Sequence, residues 1–77
     1  MGEAPLLDTR GSLCPMPVIR TQQRVAELQP GERLTILASD PGAAHDIPAW
    51  CRVHGHRLIR CEVAEGLVTV ELEVCSE

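Results

Sequence analysis

The sequence predicts an α/β fold, a two-layer sandwich in which two helices cover one face of a four-stranded mixed sheet. Strand-like stretches with apolar residues at alternate positions are interleaved with two helix-like segments, in the order β-α-β-α-β-β. This alternation indicates a sheet with one apolar and one polar face, not a doubly wound sheet covered on both faces. Right-handed crossovers then place both helices on the same face. We expect the 77 residues to form one domain, 1–77, with a small core.

The first half of the chain predicts a strand, a helix and a second strand. The first strand is short and covers residues 6–9. The helix covers residues 15–28, where apolar side chains recur at helical spacing, and the Gln-Pro-Gly-Glu stretch at 29–32 ends it. The second strand covers residues 33–39. The inward side of the helix is predicted to carry Val18, Thr21 or Gln22, Val25 and Leu28.

The second half predicts a helix followed by a β-hairpin. The helix covers residues 41–54 and ends at Gly55, a residue type common just after a helix. Strands at 57–63 and 67–74 are joined by a turn that contains Gly. The helix is predicted to bury Ile47, Trp50, Cys51 and either Val53 or His54. The third strand is predicted to turn Ile59, Cys61 and Val63 inward, which makes Cys51 and Cys61 core residues.

Composition argues against several classes of function. The net charge is −4, all seven basic residues are Arg, and Trp50 is the single aromatic residue, so the chain offers neither a basic stripe nor a stacking platform for nucleic acid. No apolar run is long enough to cross a membrane. Residues 1–4 do not begin a signal peptide, so we expect a cytoplasmic protein with reduced cysteines. No Cys-x-x-Cys pair is present, and we expect no metal site.

Residues 11–17, Gly-Ser-Leu-Cys-Pro-Met-Pro, carry the strongest chemical signal. Pro15 and Pro17 suit the first turn of a helix, where a missing N–H costs no hydrogen bond. Cys14 is therefore predicted at or beside the N-cap, with its sulfur near the N–H groups of Met16 and Val18. The positive end of the helix dipole is expected to lower the pKa of this thiol, making Cys14 an accessible, reactive thiolate. Gly11 allows a sharp turn before it.

Three segments together resemble the TusA/SirA-like sulfur-carrier family over nearly the whole chain. They are residues 7–18, which contain Cys-Pro-Met-Pro, residues 40–51, which contain Asp-Pro-Gly and Asp-Ile-Pro, and the Gly55-His56 step. The resemblance implies the same β-α-β-α-β-β sandwich. It also implies that Cys14 accepts a sulfane sulfur as a persulfide and hands it to a protein partner.

The resemblance implies a protein donor, either a cysteine desulfurase or a rhodanese-like protein, and a protein acceptor. It leaves the pathway open among tRNA thiolation, molybdenum-cofactor or selenium metabolism and sulfur oxidation. Only Cys14 carries over as the sulfur-bearing residue, with Gly11, Pro15 and Pro17 as supporting motif residues. No cofactor is implied. Because no acid–base pair accompanies Cys14, we expect a sulfurtransferase-type carrier and not a turnover enzyme.

Two further pairs of residues have both a structural and a functional interpretation. Arg20 and Arg24 lie four apart on the first helix, and they form either a solvated face or a docking site for an acidic partner. This chain has Arg where family helices often carry Lys. Asp40 and Asp46 are most simply helix caps. The family resemblance suggests that they also shape a surface near Cys14.

Two other functions remain open at this point. A thiol redox domain would need Cys51, Cys61 or Cys75 to reach Cys14 as a resolving thiol. A regulatory interaction domain without sulfur transfer would use the outward face of the sheet, around Thr69 and Glu71.

Overall fold

The computed structural model describes residues 5–75, which form four strands and two helices in the predicted order. The prediction that no signal peptide begins the chain concerns residues 1–4, which lie outside the described part, as do residues 76–77. Each helix begins one or two residues later than predicted, and the first also ends earlier. The elements are β1 Leu6–Asp8, α1 Met16–Val25, β2 Arg33–Ala38, α2 Ala43–His54, β3 Arg57–Ala64 and β4 Leu67–Glu73.

The four strands form one mixed sheet in the order β1-β2-β4-β3. Strand β1 runs parallel to β2, while β4 is antiparallel to both β2 and β3. The helices are the crossover connections that the parallel pairs require. The predicted fold class is confirmed. Within residues 5–75, neither helix is long and apolar enough to span a membrane.

The core lies between the sheet and the helices. The central strands, β2 and β4, contribute four fully buried side chains to it: Leu34, Ile36, Val70 and Leu72. From α1, Pro17, Thr21 and Val25 point inward, so the open choice between Thr21 and Gln22 resolves to Thr21. The Thr21 hydroxyl is satisfied in this apolar setting because it donates to the carbonyl of Pro17 at 2.8 Å.

Helix α2 buries Ala43, Ile47, Pro48 and Cys51, which confirms Cys51 as a core residue. Trp50 is half-buried and packs against the core. The prediction for the last turn is wrong, because neither candidate is buried: Val53 is 80% exposed and His54 is exposed. Gly55 ends the helix in the left-handed conformation, as predicted, with φ at 78°.

Strand β3 departs from the simple alternation that the sequence predicts. Leu58 pairs with Leu72 and Arg60 pairs with Glu71, so the register shifts by one residue between them. Leu58 therefore takes the inward register that was predicted for Ile59. Because β3 is an edge strand, its inward side chains are only partly covered: Leu58 is 38% and Val63 is 60% exposed.

Cys61 is likewise exposed, so its prediction as a core residue is wrong. Its Sγ lies 3.7 Å from the carbonyl oxygen of Ala44 in α2. Pro48 lies inside α2 and has no N–H with which to bond that carbonyl, four residues earlier. The edge-strand thiol thus contacts a helix carbonyl that Pro48 leaves without its usual helical partner.

The core assignment makes a direct prediction about stability. Replacing the fully buried Leu34 with Ala should lower the free energy of unfolding by about 2–5 kcal/mol, because the truncation leaves a cavity beneath both helices. Replacing the exposed Val63 with Ala should cost less than about 1 kcal/mol. Urea unfolding followed by circular dichroism measures both. Equal losses in the two variants would contradict the assignment of the core.

Candidate functional site

The site lies where the loops that follow β1 and β2 meet. Because these strands are parallel neighbours, their carboxyl ends reach the same edge of the sheet. The buried Thr9 holds the first loop there, since its N–H and its hydroxyl both donate to the carbonyl of Leu37, at 2.8 and 2.6 Å. Gly11 turns the chain with φ at 87°, and its N–H donates to Ser39 Oγ at 2.8 Å. The predicted sharp turn at Gly11 is confirmed.

Helix α1 begins at Met16, with Pro15 as its N-cap residue and Pro17 in the first turn. Cys14 therefore lies one residue before the cap, beside a cis peptide bond to Pro15. The N–H of Met16 is already used, because it donates to the carbonyl of Leu13 at 2.8 Å. The sequence predicted that the Cys14 sulfur would lie near this N–H. In the structure the N–H is not available to the sulfur, because Leu13 accepts it.

Two carboxylates from the second loop and helix α2 hold Cys14 instead. Asp40 Oδ2 accepts the backbone N–H of Cys14 at 2.7 Å, and Asp40 Oδ1 accepts that of Gly42 at 3.2 Å. Asp46 Oδ2 lies 3.1 Å from Cys14 Sγ and accepts its S–H. Both carboxylates converge on Gly42, where an added Cβ would lie 3.7–3.8 Å from their oxygens. We call Cys14, Asp40 and Asp46 the thiol–carboxylate corner.

These contacts revise the predicted role of the two aspartates. The N-cap residue of α2 is Gly42 and makes no side-chain capping bond, so Asp46 is not a cap. Asp40 does accept an N–H just before the helix, as a capping residue would. The expectation that both residues shape the surface near Cys14 is confirmed by their contacts with it.

The same contacts reverse the predicted effect on the pKa of Cys14. The hydrogen bond to Asp46 raises this pKa, with further contributions from partial burial and from the charges of Asp46 and Asp40. The helix N-terminus acts as only about half a positive charge. A full negative charge 3.1 Å from the sulfur outweighs it. Cys14 therefore rests as a hydrogen-bonded thiol, and the predicted lowered pKa is wrong.

The sulfur is nevertheless accessible. Cys14 is exposed, and three apolar side chains on the loop and helix turn that flank it in sequence are exposed as well. Leu13 is 74% exposed, Met16 44% and Ile19 39%. We call these three residues the apolar rim. Exposed apolar surface next to a reactive group is typical of a place where another protein binds.

Arg20 and Arg24 lie further along α1, facing a shallow groove next to β1. Leu7, Gln23 and Glu27 complete its lining, and its volume is about 200 Å³. Arg24 forms an ion pair with Glu27 at 2.8 Å, so its charge is partly matched within the helix. Both arginines are half-buried, with their stems against the fold. The structure places them on the helix that begins at the corner, but not in contact with Cys14.

Comparison with known proteins decides the family. The family described as "Sulfurtransferase TusA" matches residues 6–74, almost the whole chain. The chain belongs to the TusA family. It is 39% identical over 67 residues to a protein of Neisseria meningitidis named "Putative sulfur carrier protein NMA0882", a match that covers 87% of this chain and 90% of that protein.

Two further relatives agree. The Bacillus subtilis protein YrkI, which carries the same kind of name, is 43% identical over 54 residues, covering 70% of this chain and 72% of its own. The crystal structure of a SirA-like protein from Desulfitobacterium hafniense superposes with a TM-score of 0.79 at 25% sequence identity. That match covers 92% of this chain and 97% of the other.

The other three cysteines of this TusA family member do not approach Cys14. All four cysteines are free thiols. Cys51 is buried beneath α2, and burial raises its pKa to about 11. Cys61 contacts the carbonyl of Ala44, whereas Cys14 contacts the side chain of Asp46. The Cys75 sulfur lies 3.5 Å from the carbonyl oxygen of Glu73, so within residues 5–75 none of these three sulfurs contacts that of Cys14.

A second cluster lies at the far end of α2. The ring of Trp50 stacks on that of His56, with centroids 5.1 Å apart, and makes a tilted contact with the ring of His54 at 5.0 Å. His56 Nδ1 accepts the N–H of Cys75 at 3.1 Å. In the described part of the chain, no group of three His, Cys, Asp or Glu side chains is arranged to hold a metal ion.

Sequence reasoning missed the contact between Asp46 and the Cys14 sulfur. Thirty-two residues separate the two positions, and no local pattern pairs them. The one available signal was the family resemblance of the segment 40–51, which holds both aspartates, and it gave no partner atoms.

The differences in exposure among the cysteines predict the order in which they are alkylated. In the native protein N-ethylmaleimide should modify Cys14 and Cys61, whereas Cys51 should react only after unfolding, because it is fully buried with a raised pKa. Tryptic peptides separate these sites, and mass spectrometry measures their labelling. Native labelling of Cys51 at the rate of Cys61 would contradict the described packing.

Proposed function

We propose that this TusA family member is a single-domain sulfur carrier, spanning residues 1–77, that holds a sulfane sulfur as a persulfide on Cys14. The observation that carries the proposal is the exposed thiol at the junction of two loops in a chain of this family. The relatives named above as sulfur carriers support it. We place the carrier in the cytoplasm, where thiols stay reduced between transfers.

Sulfur transfer to Cys14 needs no cofactor. The Cys14 proton passes to water, and the thiolate attacks the outer sulfur of a donor persulfide, R–S–SH. A new S–S bond forms on Cys14 as the donor S–S bond breaks, and the donor leaves as a thiolate that takes a proton from water. Delivery repeats the exchange with an acceptor thiol as the attacking group. Sulfur is moved without net oxidation or reduction.

The motif residues support this role through geometry. Gly11 turns the loop, while Pro15 and Pro17 stiffen the start of α1 and so hold the sulfur at the surface. The groups in contact with Cys14 are carboxylates that act as hydrogen-bond acceptors, without a separate general acid. We therefore propose a carrier whose transfer rates depend on the proteins that dock to it, and not a turnover enzyme.

The partners we propose are a protein donor, a cysteine desulfurase or a rhodanese-like protein, and a protein acceptor of sulfur. The apolar rim supplies exposed contact surface on the loop and first helical turn that carry Cys14. Arg20 and Arg24 supply a basic patch along α1 that an acidic segment of a partner can meet. The downstream use is tRNA thiolation, cofactor synthesis or sulfur oxidation. We propose direct contact with neither nucleic acid nor membrane.

A thiol redox domain is the alternative function. It is disfavoured because Cys51 is buried, and because the sulfurs of Cys61 and Cys75 contact the carbonyls of Ala44 and Glu73 and not Cys14. A regulatory interaction domain would use the outward face of the sheet. Ion pairs such as Arg33–Glu71 at 3.8 Å and Arg57–Glu73 at 3.7 Å already occupy that face.

The central test is the intact mass of the reduced protein after incubation with a cysteine desulfurase and cysteine. Wild type should gain one sulfur that reductant removes, and Cys14→Ser should gain none. Cys61→Ser is the matched control, because it removes another exposed thiol and should load like wild type. Loading of Cys14→Ser at the wild-type level would refute the proposal. If a desulfurase loads neither protein, a rhodanese with thiosulfate is the second donor to test.

Charge reversal tests the proposed docking patch. Arg20→Glu with Arg24→Glu should slow loading from the desulfurase about fivefold or more, since two exposed ion-pair contacts are worth roughly 1 kcal/mol together. Loading from glutathione persulfide should not change, because this small donor needs no docking patch. Arg52→Glu, an exposed charge at the end of α2, is the control. Equal slowing by both variants would mean that net charge, not the patch, matters.

A further inference from the structure

The thiol–carboxylate corner places two carboxylates without ion-pair partners beside one sulfur. Elsewhere in residues 5–75, five acidic side chains pair with arginines, as in Asp8–Arg10 at 2.7 Å and Arg60–Glu62 at 3.0 Å, whereas the exposed Glu32 and Glu65 form no ion pair. Within the same residues, neither Asp40 nor Asp46 takes part in an ion pair. Two unmatched, half-buried carboxylates therefore stand beside the exposed sulfur.

Within residues 5–75, no Arg or His side chain forms an ion pair with either carboxylate, and this includes His45, the neighbour of Asp46 in α2. The charged groups that act on Cys14 are Asp46, 3.1 Å from its sulfur, and Asp40, bonded to its backbone. Arg10, on the preceding loop, is engaged by both oxygens of Asp8. A basic group of another molecule can therefore pair with these two carboxylates.

We propose that Asp46 controls when Cys14 reacts, keeping it a hydrogen-bonded thiol until a protein partner brings a basic side chain to the Asp40 and Asp46 carboxylates. This inference deepens the proposed function and adds the chemistry of the partner. The partner surface combines a Lys or Arg, aimed at the corner, with apolar side chains that cover the apolar rim. Charge complementarity selects this occupant, since two carboxylates without counter-ions repel an acidic surface.

The physical effect of the cation follows from the geometry. A basic side chain that pairs with Asp46 draws its oxygen away from the S–H and offsets its negative charge. The sulfur then loses its proton to water more readily, because the nearby charge that opposed the thiolate is neutralised. The thiolate forms while the donor persulfide is in place and attacks as described above. In the free carrier the same contact limits side reactions of the exposed cysteine with oxidants and electrophiles.

Small reagents test this inference without any sulfur-transfer partner. The tryptic peptide 11–20 contains Cys14 as its single cysteine, so modification of Cys14 is measured in the intact sequence. Three reagents are compared near pH 7.5 at low ionic strength. They are neutral iodoacetamide, the cationic disulfide cystamine and the anionic disulfide 3,3′-dithiodipropionate. The variants are Asp46→Asn, which keeps an acceptor oxygen without charge, and Glu65→Gln, a matched loss of one exposed carboxylate in the β3–β4 turn.

The expected results are specific in sign. Asp46→Asn should react with iodoacetamide about threefold faster than wild type, because losing the charge raises the thiolate fraction by more than it lowers the nucleophilicity of the thiolate. The iodoacetamide profile should also move to lower pH. Wild type should prefer cystamine to the anionic disulfide, and Asp46→Asn should lose most of that preference. Glu65→Gln should behave like wild type in each measurement.

The inference would be overturned if Asp46→Asn kept the wild-type rate with iodoacetamide and the wild-type preference for cystamine over the anionic disulfide. If that variant does not fold, the inference is tested by the effect of salt on the reagent preference of the wild-type protein. The preference for cystamine should vanish at 1 M salt, where screening acts over about 3 Å, and a preference unaffected by salt would overturn the inference. None of these measurements depends on sulfur loading, so they fail independently of the proposed function.

Discussion

The parallel pairing of β1 with β2 is the constraint on which the site depends. It brings two loops, 26 residues apart in sequence, to one edge of the sheet, where Asp40 accepts the N–H of Cys14. The same carboxylate accepts the N–H of Gly42, so one side chain joins the start of α1 to the start of α2. If the strands paired differently, Cys14 would lose both of its carboxylate neighbours.

The core and the reactive corner are physically separate, which lets a small fold present an exposed thiol. Leu34, Ile36 and Leu72 are fully buried in the middle of the sheet, whereas Cys14 contributes nothing to that packing. Stability therefore depends on the apolar layer, and reactivity depends on the loops above it. A loop residue that is not buried in the core is free to be chosen for its chemistry.

Two opposing electrostatic influences meet at Cys14, and distance decides between them. The helix N-terminus favours a thiolate, but its effective charge is about half of a unit and the N–H of Met16 donates to Leu13 and not to the sulfur. Asp46 carries a full charge in direct contact and favours the thiol. The resting state of this carrier is therefore set by a neighbouring helix and not by the helix that follows the cysteine.

Local sequence patterns were sufficient for the fold class, the order of the elements, the turn at Gly11 and the burial of Cys51. These features follow from the spacing of apolar residues and from the backbone preferences of proline and glycine, both of which act over a few residues. The exposure of Cys61 was decided by tertiary structure, because strand order makes β3 an edge. The protonation of Cys14 was decided in the same way. It rests on Asp46, a partner 32 residues away that only chain topology brings within 3.1 Å of the sulfur.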